Sequence, residues 1–80
     1  MRASEVDALL DTLCVRLGFC LPADARLRLR ENPPVEVATF TDAVFLGEGL
    51  DPALADRSLY RKVRDMVREA FQRAQSGLTR

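Results

Sequence analysis

The sequence predicts an all-α fold, a compact bundle of about four helices that ends in a long amphipathic one. Two observations carry that prediction. From Asp56 to Ala74 the apolar residues Leu59, Val63, Met66, Val67, Ala70, Phe71 and Ala74 recur at three- and four-residue steps, as one face of a helix requires. The pairs Gly18-Phe19, Gly49-Leu50 and Gly77-Leu78 each place a glycine and then an apolar residue where a helix should stop. That is the pattern of a left-handed C-terminal cap with an apolar residue folding back. At 80 residues the chain is read as one domain spanning 1–80. At this length folding buries only about 60% of the extended chain's surface, so the core must be efficient or shared with a second chain.

The first helix is expected to begin near Ser4. Ser4 and Asp7 have the spacing of a capping box, and Val6, Leu9, Leu10, Leu13, Cys14 and Leu17 mark one face up to Gly18. A second helix is expected from about Pro22 to Glu31, with Pro22 and Asp24 as its start and Asn32-Pro33-Pro34 as its stop. The run Arg26-Leu27-Arg28-Leu29-Arg30 alternates strictly, however. The alternative is therefore an α+β fold with a small hairpin at 26–38, in which Val35-Glu36-Val37 supplies the partner strand. A lone two-stranded hairpin is marginal in water, and this favours the helix.

A third helix is expected from Thr39, in a second capping box with Asp42, to Glu48. It carries Phe40, Ala43, Val44, Phe45 and Leu46, with Phe45 roughly opposite Phe40 and Val44. A helix apolar around most of its circumference either packs on more than one side or presents a sticky face. Phe45 is accordingly a core residue in one reading and an interface anchor in the other. Asp51-Pro52 then turns the chain into the last helix.

The formal charge is zero, from 12 basic and 12 acidic residues, but the distribution is uneven. Residues 31–55 hold Glu31, Glu36, Asp42, Glu48 and Asp51 without a Lys or Arg. From residue 56 onward Arg57, Arg61, Lys62, Arg64, Arg68, Arg73 and Arg80 outnumber the acids. Such poles can satisfy each other internally or against a second copy of the chain. Arg57, Arg61, Arg64 and Arg68 follow helical steps away from the apolar face, which predicts a row of guanidinium groups in solvent.

Chemistry by the common catalytic routes lacks its residues. No His is present, which excludes Ser-His and Cys-His nucleophile pairs. The Asp7 and Asp11 carboxylates share a helix exterior and are read as solvated. Glu48-Gly49-Leu50-Asp51 lacks the ligand alternation of a calcium loop, and Gly47-Glu48-Gly49 lacks the lysine of a phosphate loop. Ser58 lacks the preceding Asp of an acyl-carrier attachment site, since Arg57 intervenes. Two cysteines without histidine do not make a zinc site or a disulfide framework, and Cys14 and Cys20 are read as buried free thiols. The first residues carry acids where a signal peptide needs an apolar run, and no stretch reaches membrane-spanning length; the expectation is a cytoplasmic protein with no membrane contact.

The function expected from these residues is a small non-enzymatic helical protein–protein interaction module, regulatory or structural, without cofactor or metal. Its partner is another protein or a second copy of the chain. Phe45 and Tyr60 are the expected apolar anchors, and Arg57, Arg61, Arg64 and Arg68 the charged specificity elements. The alternative is nucleic-acid binding, with the last two helices as a loose helix-turn-helix and the arginine row against phosphates. Zero net charge, an acidic segment upstream and the absence of Asn or Gln among the arginines weigh against it.

Overall fold

Four helices build the domain in the computed structural model: α1 (Ala3–Leu17), α2 (Ala23–Glu31), α3 (Val37–Gly47) and α4 (Arg57–Leu78). The structure describes the backbone of residues 1–78 and the side chains of residues 1–75; Arg80 lies outside the described residues. The fold is all-α. No strand occurs among the described residues, so the hairpin alternative at 26–38 is excluded.

The helix ends show which local signals held. Gly18 takes φ 74°, its N–H donates to the Cys14 carbonyl at 3.0 Å, and the Phe19 N–H reaches back to the Leu13 carbonyl at 3.2 Å. Gly49 repeats the device at φ 78°: its N–H donates to Leu46 at 3.0 Å, and the Leu50 N–H donates to Phe45 at 2.9 Å. Both are left-handed caps that only glycine adopts without strain. The third glycine does not stop its helix, since α4 runs on through Gly77 to Leu78.

Helix starts depart further from expectation. At α1 the N-cap residue is Arg2, whose backbone N–H donates to the Glu5 carboxylate at 2.7 Å. The Glu5 side chain is long enough to reach back from the third helical position, so it caps the helix in place of the Ser4–Asp7 pair. At α3 the helix begins at Val37, two residues before Thr39. Pro33 and Pro34 hold the chain out of helix before Glu36, after which nothing delays it. Asp56 caps α4, its carboxylate accepting the Leu59 N–H at 3.0 Å.

The strict alternation of 26–30 is resolved as helix by tertiary contacts. Leu29 enters the core, while Leu27 and Arg28 face solvent. Arg26 and Arg30, one helical turn apart, both reach α1. Arg26 Nε donates to Asp7 at 3.3 Å, its Nη2 donates to Asp11 at 2.6 Å and to the Asp7 carbonyl at 3.2 Å, and Arg30 Nε meets Asp7 at 3.0 Å. The Asp7–Asp11 pair is therefore not simply solvated, as its sequence context suggested; it docks α2. The Asp11 hydrogen bond, above all, raises the Arg26 pKa, with burial opposing and Asp7 assisting. We expect Arg26→Ala to cost about 1–2 kcal/mol, the range for charge-assisted bonds discounted for partial exposure. Urea midpoints should show the loss, and high salt should shrink it; a midpoint unchanged from wild type would remove the cluster from the docking of α2.

Each helix packs on two neighbours, α1 on α2 and α4, and α3 on α2 and α4. This closes a four-sided ring around one core of Val6, Leu9, Leu10, Leu13, Phe19, Leu29, Phe40, Val44, Phe45, Val63 and Val67. Where α2 meets α3 the approach is close: a Cβ on Gly47 would sit 2.9 Å from Leu21 and 3.2 Å from Ala25. The 22 residues of α4, about 33 Å of helix at 1.5 Å per residue, set the 39 Å long dimension. Among the described residues, no helix is long and apolar enough to cross a membrane.

The cysteines overturn their expected state. Cys14 and Cys20 are joined by a disulfide, with their Cα atoms 4.4 Å apart, and neither is a free thiol. Nor are they buried: Cys20 is exposed and Cys14 half-buried. The left-handed turn at Gly18 folds the chain back over the last turn of α1, bringing together two residues whose spacing alone gave no reason to pair them.

Candidate interaction surface

The six residues expected to meet a partner fall into three environments. Phe45 is fully buried, its ring 5.0 Å from Phe19 and 5.3 Å from Tyr60. It presents nothing to a partner, so the interface-anchor reading is corrected in favour of the core. The reason is what closes over α3: Phe71 of α4 packs on Phe40, while Phe19 of the α1–α2 connection and Tyr60 of α4 cover Phe45. The large apolar residue that α3 does leave outside is Leu46, 62% exposed.

Arg64 and Arg68 form the second environment. Arg64 is half-buried, with Nη2 3.4 Å from Asp65 and Nε buried without a hydrogen-bond partner. Arg68 lies 3.7 Å from the same carboxylate. The expected row of four solvated guanidinium groups is thus broken in the middle, because Asp65 sits on the same side of α4 and draws two of them to itself.

The third environment holds Arg57, Arg61 and Tyr60 at the start of α4. Arg57 and Arg61 are exposed and, among the described residues, make no ion pair; Arg26, Arg28, Arg30, Arg64, Arg68 and Arg73 each do. Tyr60 is half-buried, its hydroxyl donating to the Asp42 carboxylate of α3 at 2.7 Å. Beside it opens a cleft of about 300 Å³ lined by Asp42, Pro52, Ala53, Ala55, Arg57 and Tyr60. The α3–α4 connection forms its outer wall. There the Asp51 carboxylate accepts the Ala53 N–H at 2.9 Å, a tight turn that turns Leu54 out to 84% exposure, with Leu50 at 44%.

The Tyr60–Asp42 bond has a pH consequence. The hydrogen bond to Asp42, then burial, raises the phenol pKa above its ordinary value; the Asp42 charge adds to this, and Arg64 and Arg57 oppose it. The folded state therefore holds the phenolic proton more tightly than the unfolded chain does. This contribution is complete below the ordinary phenol value of about 10 and is lost as pH rises through the raised one. We expect wild-type stability to fall more steeply than that of Tyr60→Phe as pH rises above about 10, the ordinary phenol value. At neutral pH that variant should be weaker by about 1 kcal/mol. Urea midpoints across the range check both, and parallel pH curves would show that the bond contributes nothing.

Two other grooves differ in charge. The one between α1 and α4 is rimmed by both signs, Glu5 and Glu69 against Arg16 and Arg73, and the one between α2 and α3 has its rim Arg28 paired with Asp24. The Tyr60 cleft is lined by the unpaired Arg57, and the exposed Leu50 and Leu54 lie on the connection that borders it. The sequence spacing reached Tyr60, Arg57 and Arg61 but missed Asp42 as the partner of Tyr60, since no local spacing links residues in different helices. It also missed Leu50 and Leu54, for which the Asp51-Pro52 turn was the available signal.

No family model, curated protein or solved structure matches this chain, and the functional reading rests on the geometry above.

Proposed function

We propose that this protein is a non-enzymatic helical interaction module that binds an acidic, partly apolar protein surface. It binds through the start of α4 and the α3–α4 connection. The observation that carries this reading is that Arg57, which lines a cleft at Tyr60, and Arg61, next to Tyr60 in the chain, are exposed and unpaired, where most other arginines among the described residues are paired. Arginine next to aromatic and aliphatic groups is the composition that protein interfaces favour. Tyr60 anchors the cleft floor, Arg57 and Arg61 engage carboxylates, and Leu50 and Leu54 supply apolar contact. Arg64 and Arg68, shared with Asp65, contribute less.

The test is affinity capture with the tagged full chain from a lysate of its native cells with nuclease treatment, alongside Arg57→Glu/Arg61→Glu as bait. A protein retained after nuclease by wild type and lost by the variant supports the module. Sedimentation of the purified chain distinguishes a second copy from a different partner. Recovery of nucleic acid that nuclease abolishes overturns the reading in favour of nucleic-acid binding. Equal recovery by both baits removes the arginine pair from the surface.

A further inference from the structure

We propose that Cys14 and Cys20 form a reversible thiol–disulfide exchange site, whose co-substrate is a small thiol and whose opening leaves the fold intact. The site lies on the α1–α2 connection and is independent of the α4 surface.

Three features of the connection support it. The turn that brings the cysteines together is closed by backbone alone, through the Gly18 and Phe19 N–H bonds to the Cys14 and Leu13 carbonyls. The bridge therefore seals a conformation that already exists. The residues on either side of Cys20 are bolted to α3: Phe19 is buried edge-on against Phe45, and Leu21 lies against Gly47, at the place where a Cβ there would meet it at 2.9 Å. Cys20 itself is exposed between them. Breaking the bond thus frees neither the turn nor the core, while the two sulfurs stay close enough to re-form it. A structural disulfide is shielded and supports the conformation around it; this one is accessible and its surroundings are held by other contacts.

Exchange balances as a two-electron step. A thiolate of the small thiol attacks the sulfur of Cys20, the exposed residue of the pair, forming a mixed disulfide while the Cys14–Cys20 bond breaks and Cys14 leaves as a thiolate that takes a proton. A second small-thiol thiolate attacks the sulfur of the first in that mixed disulfide, releasing Cys20 as a thiolate, also protonated. Two small thiols are oxidised to their disulfide, and the protein disulfide is reduced to two thiols. The reverse sequence closes the bridge.

Equilibration of the full chain in glutathione buffers of varied ratio, followed by acid quench and maleimide labelling, tests the site by mass. We expect no labelled thiol at the oxidised end and two at the reduced end, joined by one transition with two-electron dependence. The far-ultraviolet helical signal should be the same at both ends. Thiols that remain labelled in oxidised glutathione, a bridge that resists reduced glutathione, or loss of helical signal on reduction would each overturn the proposal. Cys14→Ser keeps it testable at the attacked atom: Cys20 should then take up one glutathione, removed again by excess reduced glutathione, and a Cys20 that takes up none would overturn attack at that position.

Discussion

Phe45→Ala is expected to be severely destabilising, by about 3–5 kcal/mol. The ring has no solvent exposure and sits between Phe19 and Tyr60, so truncation empties the space where α3, α4 and the α1–α2 connection meet. Removing a buried Phe typically costs 3–5 kcal/mol, roughly, and the whole stability of a chain this size is about 4–12 kcal/mol. The loss is thus from about a quarter of the stability to all of it, according to where in that range the domain lies. Phe45→Asp should go further and abolish the helical signal, because a charge in that position has no partner. Leu46→Ala, one residue along and 62% exposed, is the control and should stay within about 0.5 kcal/mol of wild type. Urea titration followed by circular dichroism measures all three. A Phe45→Ala midpoint equal to that of wild type would mean that the ring is not a core element.

The second large effect concerns binding. Arg57→Glu/Arg61→Glu should weaken the proposed partner complex about 30-fold, near 2 kcal/mol, taking about 1 kcal/mol for each reversed contact at a desolvating interface. Stability should change by less than about 0.5 kcal/mol, since neither side chain has an internal ion pair to lose. The salt dependence of association should flatten in the variant, because the attraction that salt screens has been removed. Arg64→Glu/Arg68→Glu gives the opposite signature. It places two carboxylates beside Asp65, so stability falls while binding changes less. Calorimetry with the captured partner and urea midpoints of both variants separate these cases. Equal losses of affinity in the two double variants would show that the whole row, and not the start of α4, carries the contact.

These predictions depend unequally on what could be read in advance. The exposure of Arg57 and Arg61 followed from their angle to Val63 and Val67, a relation internal to one helix. The half-burial of Arg64 did not, since it belongs to the same angular row as the exposed Arg57 and Arg61 and nothing within the helix sets it apart. Phe45 was legible as apolar on the side opposite Phe40, but whether that side was covered depended on where α4 came to rest. Tyr60 could be named as an anchor, whereas its Asp42 partner, 18 residues earlier, has no signature in either helix.

What the sequence by itself determined is therefore local: the all-α class, the left-handed caps at Gly18 and Gly49, and the apolar face of α4 with Arg57 and Arg61 turned from it. Each of these rests on backbone sterics or on contacts within a few residues, which residue type and spacing dictate. The tertiary structure alone decided that Asp7 and Asp11 hold Arg26 and Arg30, that Cys14 meets Cys20 in the open, that Phe45 lies inside, and that a cleft opens beside Tyr60. Those outcomes arise when separate amphipathic segments bury their faces against one another. Which charges, rings and sulfurs then face each other is a property of the assembled bundle and of none of its segments.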